Sequence, residues 1–212
     1  MSIRPHSFVQ GEFYHIYAHS IGNLEIFRNE RDYQRFLTLI FSANGTKTIP
    51  RLDRCVDLNL VWDIANDKID LGKKLVDIVC FCLMPTHFHL LLGERGNANI
   101  PKYLHRILVS HSKYFNLKYD RRGHLFENKF NSKHIDSNEY LLVLSSYIHK
   151  NSKDLLSWKN KEEKYPWSSY RDFISENRWQ HLLKKNIIED QFKNPQEYKN
   201  FVEEHYNDEV LL

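Results

Sequence analysis

The sequence has few of the residues that interrupt secondary structure or cross-link a chain. It has 7 glycines and 6 prolines among 212 residues, so its helices and strands are expected to be long. Its 3 cysteines are too few and too unevenly spaced for a disulfide framework, which favours a reducing cytoplasm. No apolar run approaches the roughly 20 residues of a membrane helix. Residues 1–10 lack the apolar stretch of a secretory signal. We therefore expect no membrane association.

The chain also lacks a marked excess of charge of either sign. Its 30 Lys and Arg residues oppose 27 Asp and Glu residues, which leaves a formal charge of +3. Nucleic-acid-binding domains are usually strongly basic, so the average charge does not predict one. With 42% hydrophobic and 14% aromatic residues, the chain can bury a substantial core, which excludes a disordered protein.

Apolar and aromatic periodicity predicts the main elements. Residues 12–19 are aromatic-rich and typical of a strand. Residues 29–41 and 100–119 repeat apolar side chains every three or four positions, as helices do. Residues 75–92 are the most apolar part, and Pro85 within them predicts two strands joined by a turn. Their continuous apolar character indicates burial on both sides.

Two helix starts can be read from capping signals. Asp136 is the predicted cap of a helix that continues past Tyr147, with Glu139 completing a capping box. In the tail, residues 194–197 combine a cap, a proline at the first helical position and a box glutamate. The run 56–64 fits a strand or a helix equally well.

The order of these elements predicts the organisation of the chain. It fits an α+β sandwich with a central antiparallel sheet and helices on one face, followed by a helical C-terminal extension. We expect residues 1–155 to form one domain, with 42–74 as a candidate insertion. Residues 156–212 then form the extension.

Two histidines stand close together in the apolar hairpin, although imidazoles are costly to bury. His87 and His89 are two residues apart, so both rings face the same side of a strand. Two neutral imidazoles on a rigid strand suit a divalent metal, which would need further oxygen or nitrogen ligands. The alternative is a pair of half-exposed strand residues without a ligand, and the spacing alone leaves both readings open.

Tyr147 and Asn151 are neighbours on one face of a predicted helix. A tyrosine hydroxyl can attack phosphorus or carbon, but its ordinary pKa of about 10 means that a metal or base must help it. Asn151 could offer its side-chain oxygen to the same metal. Tyr147 also lies on the apolar stripe of the helix and could belong to the core instead. Periodicity does not place this helix beside the His pair.

Short runs between residues 11 and 172 carry a resemblance to a known family. They are residues 13–17, 26–27, 32–37, 82–92, 113–116, 123–130, 139–142, 147–151 and 165–170. In this order and spacing, the chain resembles the REP-associated tyrosine transposases, which are part of the single-tyrosine, HUH-type superfamily.

The resemblance implies a ferredoxin-like α+β fold and metal-dependent cleavage and rejoining of single-stranded DNA, often next to a hairpin. His87 and His89 match the metal-binding pair, and Asn151 matches the polar residue that completes the metal site. Tyr147 matches the nucleophile that becomes linked to the 5′ phosphate and leaves a free 3′ hydroxyl. The resemblance further implies Mg²⁺ or Mn²⁺ as the metal, a monomer or homodimer, and a nucleoid-associated protein of the cytoplasm.

The chain departs from the family pattern in three places. Thr86 stands where the family usually has asparagine, a polar-for-polar change. His19 stands where an arginine is common, which leaves one DNA contact open. Residues 152–154 replace a stretch that usually contains proline, so the end of the preceding helix is expected to differ.

The charge is unevenly distributed along the chain. Between residues 94 and 153, eleven basic residues face five acidic ones, whereas residues 180–212 hold seven acids and four lysines. Single-strand binding needs basic groups for phosphates and aromatic rings for unstacked bases. The predicted DNA-binding residues are Arg121, Arg122, Lys129, Lys133 and Tyr114. The alternative for each of them is an ordinary solvated surface residue.

Two other functions compete with a transposase. One is a DNA-binding domain that descends from a transposase and no longer cleaves. The other is a metal-dependent phosphoesterase that attacks with water and forms no covalent link. The presence of His87, His89, Tyr147 and Asn151 argues against the first, and the Tyr147→Phe substitution separates the second from a transposase.

Overall fold

Four strands and a set of helices make up the fold, and the computed structural model describes them over residues 7–49 and 57–205. The strands are β1 (Phe13–His19), β2 (Val76–Met84), β3 (His87–Glu94) and β4 (Asn131–Ile135). The longer helices are α1 (Glu30–Ser42), α2 (Leu58–Ala65), α3 (Asn99–Lys118) and α4 (Asn138–Lys150). The C-terminal part holds α5 (Tyr170–Ile174), α6 (Asn186–Glu189) and α7 (Pro195–Glu204).

The sheet has the strand order β2-β3-β1-β4, and every neighbouring pair is antiparallel. With α1 and α3 as crossovers, the chain follows the β-α-β-β-α-β order of ferredoxin-like folds. The α+β class, the antiparallel sheet and the helical C-terminal part are confirmed. The two strands predicted around Pro85 are β2 and β3, which form a hairpin.

Helices α1 and α3 cover one face of the sheet. Phe36 of α1 packs against Phe88 of β3 with ring centroids 5.0 Å apart, and Ile16 and Leu90 extend the same cluster. These contacts follow from the 3.6-residue period of the helices and the two-residue period of the strands, which align each apolar face with the other.

The other face of the sheet is covered as well, so the prediction of helices on one face holds only for α1 and α3. Leu144 and Ile148 of α4 pack against Leu91, Cys80 and Cys82, and the C-terminal helices continue this second cluster. The reason lies in β2, which is apolar on both faces, and in Leu91 of β3, because these side chains require cover on the second face.

Residues 165–169 join the C-terminal part to β2. The backbone N–H groups of Leu83 and Ser169 donate to the carbonyls of Trp167 and Phe81, at 2.9 and 3.0 Å. The Tyr165 hydroxyl donates to the carbonyl of Leu83 at 2.6 Å. The division of the chain at residue 155 stays a prediction.

The candidate insertion 42–74 contains α2, which resolves the ambiguous run 56–64 as a helix from Leu58 onward. Residues 50–56 lie outside the described residues. The Asn44 side chain accepts from the N–H groups of Leu75 and Val76 at 3.0 Å, which joins the end of α1 to the start of β2. Whether the segment is an insertion stays a prediction.

One capping prediction was wrong. Ser137, not Asp136, caps α4, because its hydroxyl accepts from the N–H of Tyr140 three residues on, at 3.2 Å. The predicted cap of α7 is confirmed, since the Asn194 side chain accepts from the N–H of Glu197 at 2.9 Å. None of the helices in the described ranges is both long and apolar enough to cross a membrane.

Candidate active site

The His pair begins β3 directly after the tight turn of the hairpin. Phe88 and Leu90 face the α1 and α3 layer, so the alternation of the strand turns His87 and His89 toward the opposite face. Their rings lie 5.1 Å apart, with His87 half-buried and His89 buried. The strand therefore presents both imidazoles to the layer that holds α4.

Helix α4 brings Tyr147 and Asn151 to this face. The Tyr147 ring stands perpendicular to that of His89, with centroids 5.4 Å apart. Asn151 follows the last residue of α4, and its Oδ1 lies 3.3 Å from Nε2 of His87. The helical spacing of four residues thus places one side chain beside each histidine. The structure brings together all four residues that the sequence singled out.

Two further histidines of β1, which were not predicted to belong to the site, complete the cluster. His15 Nε2 lies 2.9 Å from His89 Nδ1, and the ring of His19 stacks on that of His87 at 4.7 Å. Both face the same side because they are four residues apart on a strand, and β1 pairs directly with β3. Polar rings alternate along β1 at residues 15, 17 and 19, which indicates one polar face. This pattern does not show that β1 lies beside β3.

Burial keeps these imidazoles uncharged. It lowers the pKa of His15 to about 3, with a smaller effect from Lys133. Burial likewise lowers the pKa of His87 to about 4, helped by His19, and that of His89 well below its ordinary value. Neutral imidazole is the form that binds metal ions. The three rings are therefore neutral near pH 7.

The donor atoms fit a small divalent cation. His89 uses Nδ1 toward His15, so Nε2 is the nitrogen that it could offer to a cation, and Nε2 of His87 lies 3.3 Å from Oδ1 of Asn151. Two imidazole nitrogens and an amide oxygen form a mixed donor set with room for water or phosphate oxygens. Within residues 7–49 and 57–205, no group of three or more His, Cys, Asp or Glu side chains is arranged to hold a metal. Asn151 is thus essential to the candidate set.

The family comparison covers this site. Residues 67–151 match the family model described as "Transposase IS200 like". That segment contains the His pair, Tyr147 and Asn151. The resemblance to the transposases is confirmed. A search of curated proteins found no match.

A solved structure has a similar fold. The structure of the REP-associated tyrosine transposase bound to a REP hairpin aligns with a TM-score of 0.52 and 14% sequence identity. The alignment covers 82% of this chain and 86% of the other. At this identity, the likeness concerns the fold alone.

Of the predicted DNA-binding residues, Lys133 lies nearest to the His cluster. It pairs directly with His15 in the β1–β4 register, so both side chains share the face that holds Tyr147. Its Nζ lies 5.2 Å from the centre of the Tyr140 ring on α4.

Three other predicted residues lie on the segment between α3 and β4. Arg121 donates to Oδ1 of Asn116 at 3.2 Å, and Arg122 is exposed. Lys129, with Phe126, lines a cavity of about 780 Å³ between this segment and α3. The N–H of Glu127 donates to the carbonyl of His19 at 3.1 Å, so the segment runs past the edge of the His cluster.

Tyr114 lies elsewhere. Its hydroxyl donates to Oδ1 of Asp32 at 2.8 Å, and the Arg35 guanidinium lies 4.5 Å from its ring centre. These contacts belong to the α1 and α3 layer, on the sheet face opposite to His87. The DNA-binding roles of all five residues stay predictions.

Proposed function

We propose that this transposase-like protein cleaves and rejoins single-stranded DNA through a covalent 5′-phosphotyrosine intermediate. The observation that carries the proposal is the convergence of Tyr147 and Asn151 from α4 on His87 and His89 of β3. The family match supports a transposase role, and the REP hairpin in the similar structure supports hairpin DNA as the substrate.

His87, His89 and Asn151 would hold a divalent metal, Mg²⁺ or Mn²⁺. The bound cation would withdraw negative charge from a non-bridging phosphate oxygen at the cleavage site. Because burial keeps the imidazoles neutral, the protein need not lose protons from these rings to bind it.

Tyr147 supplies the nucleophile. Its oxygen forms a bond to phosphorus while the bond from phosphorus to the 3′ oxygen breaks. The hydroxyl proton passes to water, and the leaving 3′ oxygen takes up a proton, which leaves a phosphotyrosine and a free 3′ hydroxyl. Attack by a 3′ hydroxyl reverses these changes, so rejoining needs no nucleotide cofactor. The rigid helix keeps the tyrosine oriented for in-line attack.

Tyr147 is only 5% exposed, so the hydroxyl must become accessible when DNA enters the site. This burial also favours a second candidate function, a DNA-binding domain that no longer cleaves. The two candidates share the binding surface and differ in whether Tyr147 reacts.

The proposed site is built from a single chain. His87 and His89 lie on β3, and Tyr147 and Asn151 come from α4 and the turn that follows it. A monomer therefore carries every residue that the proposed reaction uses, and a homodimer would hold two complete sites. We propose the nucleoid, where DNA is available, as the place of action.

A covalent-adduct assay tests the proposal. The protein is incubated with labelled single-stranded hairpin DNA and Mg²⁺ or Mn²⁺, and the products are separated on denaturing gels. A labelled protein band that Tyr147→Phe removes supports the proposed function. Hairpin binding without cleavage supports the DNA-binding domain, and cleavage without an adduct supports a phosphoesterase that uses water.

A further inference from the structure

His15 and His89 form a hydrogen bond between two imidazole rings, each of which is fully buried. The bond joins Nε2 of His15 to Nδ1 of His89 at 2.9 Å, and the rings are stacked with centroids 5.1 Å apart. A neutral imidazole has one N–H donor and one acceptor nitrogen. One ring must therefore donate and the other must accept, and the choice determines where the remaining protons lie.

The two arrangements differ at the nitrogen that faces the proposed metal. If His15 donates, His89 keeps its own proton on Nε2, and that nitrogen has no lone pair for a cation. If His89 donates, its proton is on Nδ1 and Nε2 is free to act as a ligand. Only the second arrangement agrees with the metal site.

The second arrangement places the proton of His15 on Nδ1. This nitrogen is buried and has no hydrogen-bond partner among the described residues. Burying an unpaired N–H is unfavourable, so this arrangement needs a compensating interaction. The binding of a cation at His89 supplies one.

Thr86 gives His87 a different kind of support. Its Oγ1 lies 3.0 Å from Nδ1 of His87, and a hydroxyl can rotate to donate or to accept. The Thr86 hydroxyl can therefore stay paired with Nδ1 whichever nitrogen of His87 carries the proton. His89 differs from His87, because its partner His15 must also change which of its two nitrogens carries a proton.

We infer that His15 is a positioning residue for the metal site. It accepts the Nδ1–H of His89, and in doing so it fixes the ring and leaves Nε2 available for the cation. The inference rests on the proposed function, because it assumes that the His pair binds a divalent metal. The arrangement matches a general feature of metal sites, in which a ligating histidine donates its other N–H to a neighbouring acceptor.

The first test measures Mn²⁺ binding by calorimetry in the full-length protein without DNA. His15→Phe removes the acceptor and should weaken Mn²⁺ binding about 10- to 100-fold. His15→Gln places an oxygen close to where Nε2 lies and should retain most of the affinity. His15→Asn is one methylene shorter, so it should behave like the Phe variant. His111→Phe, a buried histidine on the opposite sheet face, controls for lost packing and should bind like wild type.

Failure of the inference can be told apart from failure of the proposed function. Equal Mn²⁺ affinity in wild type, His15→Phe and His15→Asn overturns the role of His15 alone. A wild-type protein that binds no Mn²⁺ overturns the metal site and the inference together. Should the Phe variant not fold, the comparison of Gln with Asn decides.

A second measurement needs no substitution. The ¹⁵N chemical shifts of the imidazole rings in the Mg²⁺-loaded wild-type protein report which nitrogen carries each proton. We expect the proton on Nδ1 in both His15 and His89. A Mg²⁺-loaded protein with the His89 proton on Nε2 overturns the inference.

Discussion

The side chains of His87 and Asn151 meet, with Nε2 of the histidine 3.3 Å from Oδ1 of the asparagine, although the residues are 64 positions apart. His87 opens β3, and Asn151 follows α4, so their contact depends on how the helix lies across the sheet. Asn151 is only 3% exposed and is held in place by its surroundings. The pair links the strand of the proposed metal ligands to the helix of the proposed nucleophile.

Removing the Asn151 oxygen should weaken metal binding. We expect Asn151→Ala to lower the Mn²⁺ affinity by about 10-fold or more, measured by calorimetry, because it removes one of three proposed ligands. Asn151→Asp keeps an oxygen at this place and adds negative charge, so its affinity should equal or exceed that of wild type. Asn138→Ala, at the exposed start of α4, is the control. An Ala variant with wild-type affinity would remove Asn151 from the ligand set.

Replacing Tyr147 by phenylalanine should abolish the covalent adduct and reduce cleavage of hairpin DNA to background. The substitution removes only the hydroxyl, and the ring can keep its edge contact with His89. Hairpin affinity, measured by fluorescence anisotropy, should therefore stay within about twofold. Tyr140→Phe on the same helix is the matched control and should cleave normally. Persistent cleavage by Tyr147→Phe would contradict a tyrosine nucleophile.

The residues of the candidate site could be found from the sequence where local patterns decide the structure. Pro85 marks the hairpin turn, and strand alternation places His87 and His89 on one face. Helical spacing puts Tyr147 and Asn151 on one face of α4. Each of these features depends on neighbours within a few residues.

The meeting of these elements could not be predicted in the same way. His15 reaches His89 only because β1 lies beside β3, and that pairing joins residues 74 positions apart. The apolar hairpin of β2 and β3 indicated that both sheet faces are buried. Periodicity did not show that α4 is the helix that packs on the second face. At the start of α4, Asp136 was the predicted cap, but the Ser137 hydroxyl accepts from the N–H of Tyr140 instead.

The stability of the fold should fall as the pH drops below about 6.5, in part because of His111. This ring is fully buried, and burial lowers its pKa to about 4, although the Ile26 carbonyl acts in the opposite direction. Between pH 6.5 and 4, the unfolded chain takes up a proton here that the folded chain does not. The stabilisation is therefore complete above pH 6.5 and is lost toward pH 4, at a limiting rate of about 1.4 kcal/mol per pH unit.

Urea unfolding at several pH values between 7 and 4 checks this expectation. His111→Phe should lower the pH dependence of the free energy of unfolding by up to that limiting slope. Phe115→Leu is the control, because this buried neighbour of His111 carries no titrating group. It should lower stability at every pH and leave the slope unchanged. The same slope in wild type and His111→Phe would show that His111 does not contribute.

Lys133 should contribute to DNA binding as a phosphate contact close to the site. It shares its sheet face with His15 and Tyr147, the face proposed to hold the cleaved strand. Lys68, by contrast, forms an exposed ion pair with Asp63 of α2, which packs against α1. Lys133→Gln should therefore weaken the binding of hairpin DNA irrespective of its sequence. The slope of log affinity against log salt should fall in magnitude by about 0.7 for one lost single-strand phosphate contact. Anisotropy titrations at several salt concentrations measure both quantities, with Lys68→Gln as the control. An unchanged salt slope in Lys133→Gln would mean that the DNA backbone does not pass this edge of the sheet, because a contact made there has to release a counterion.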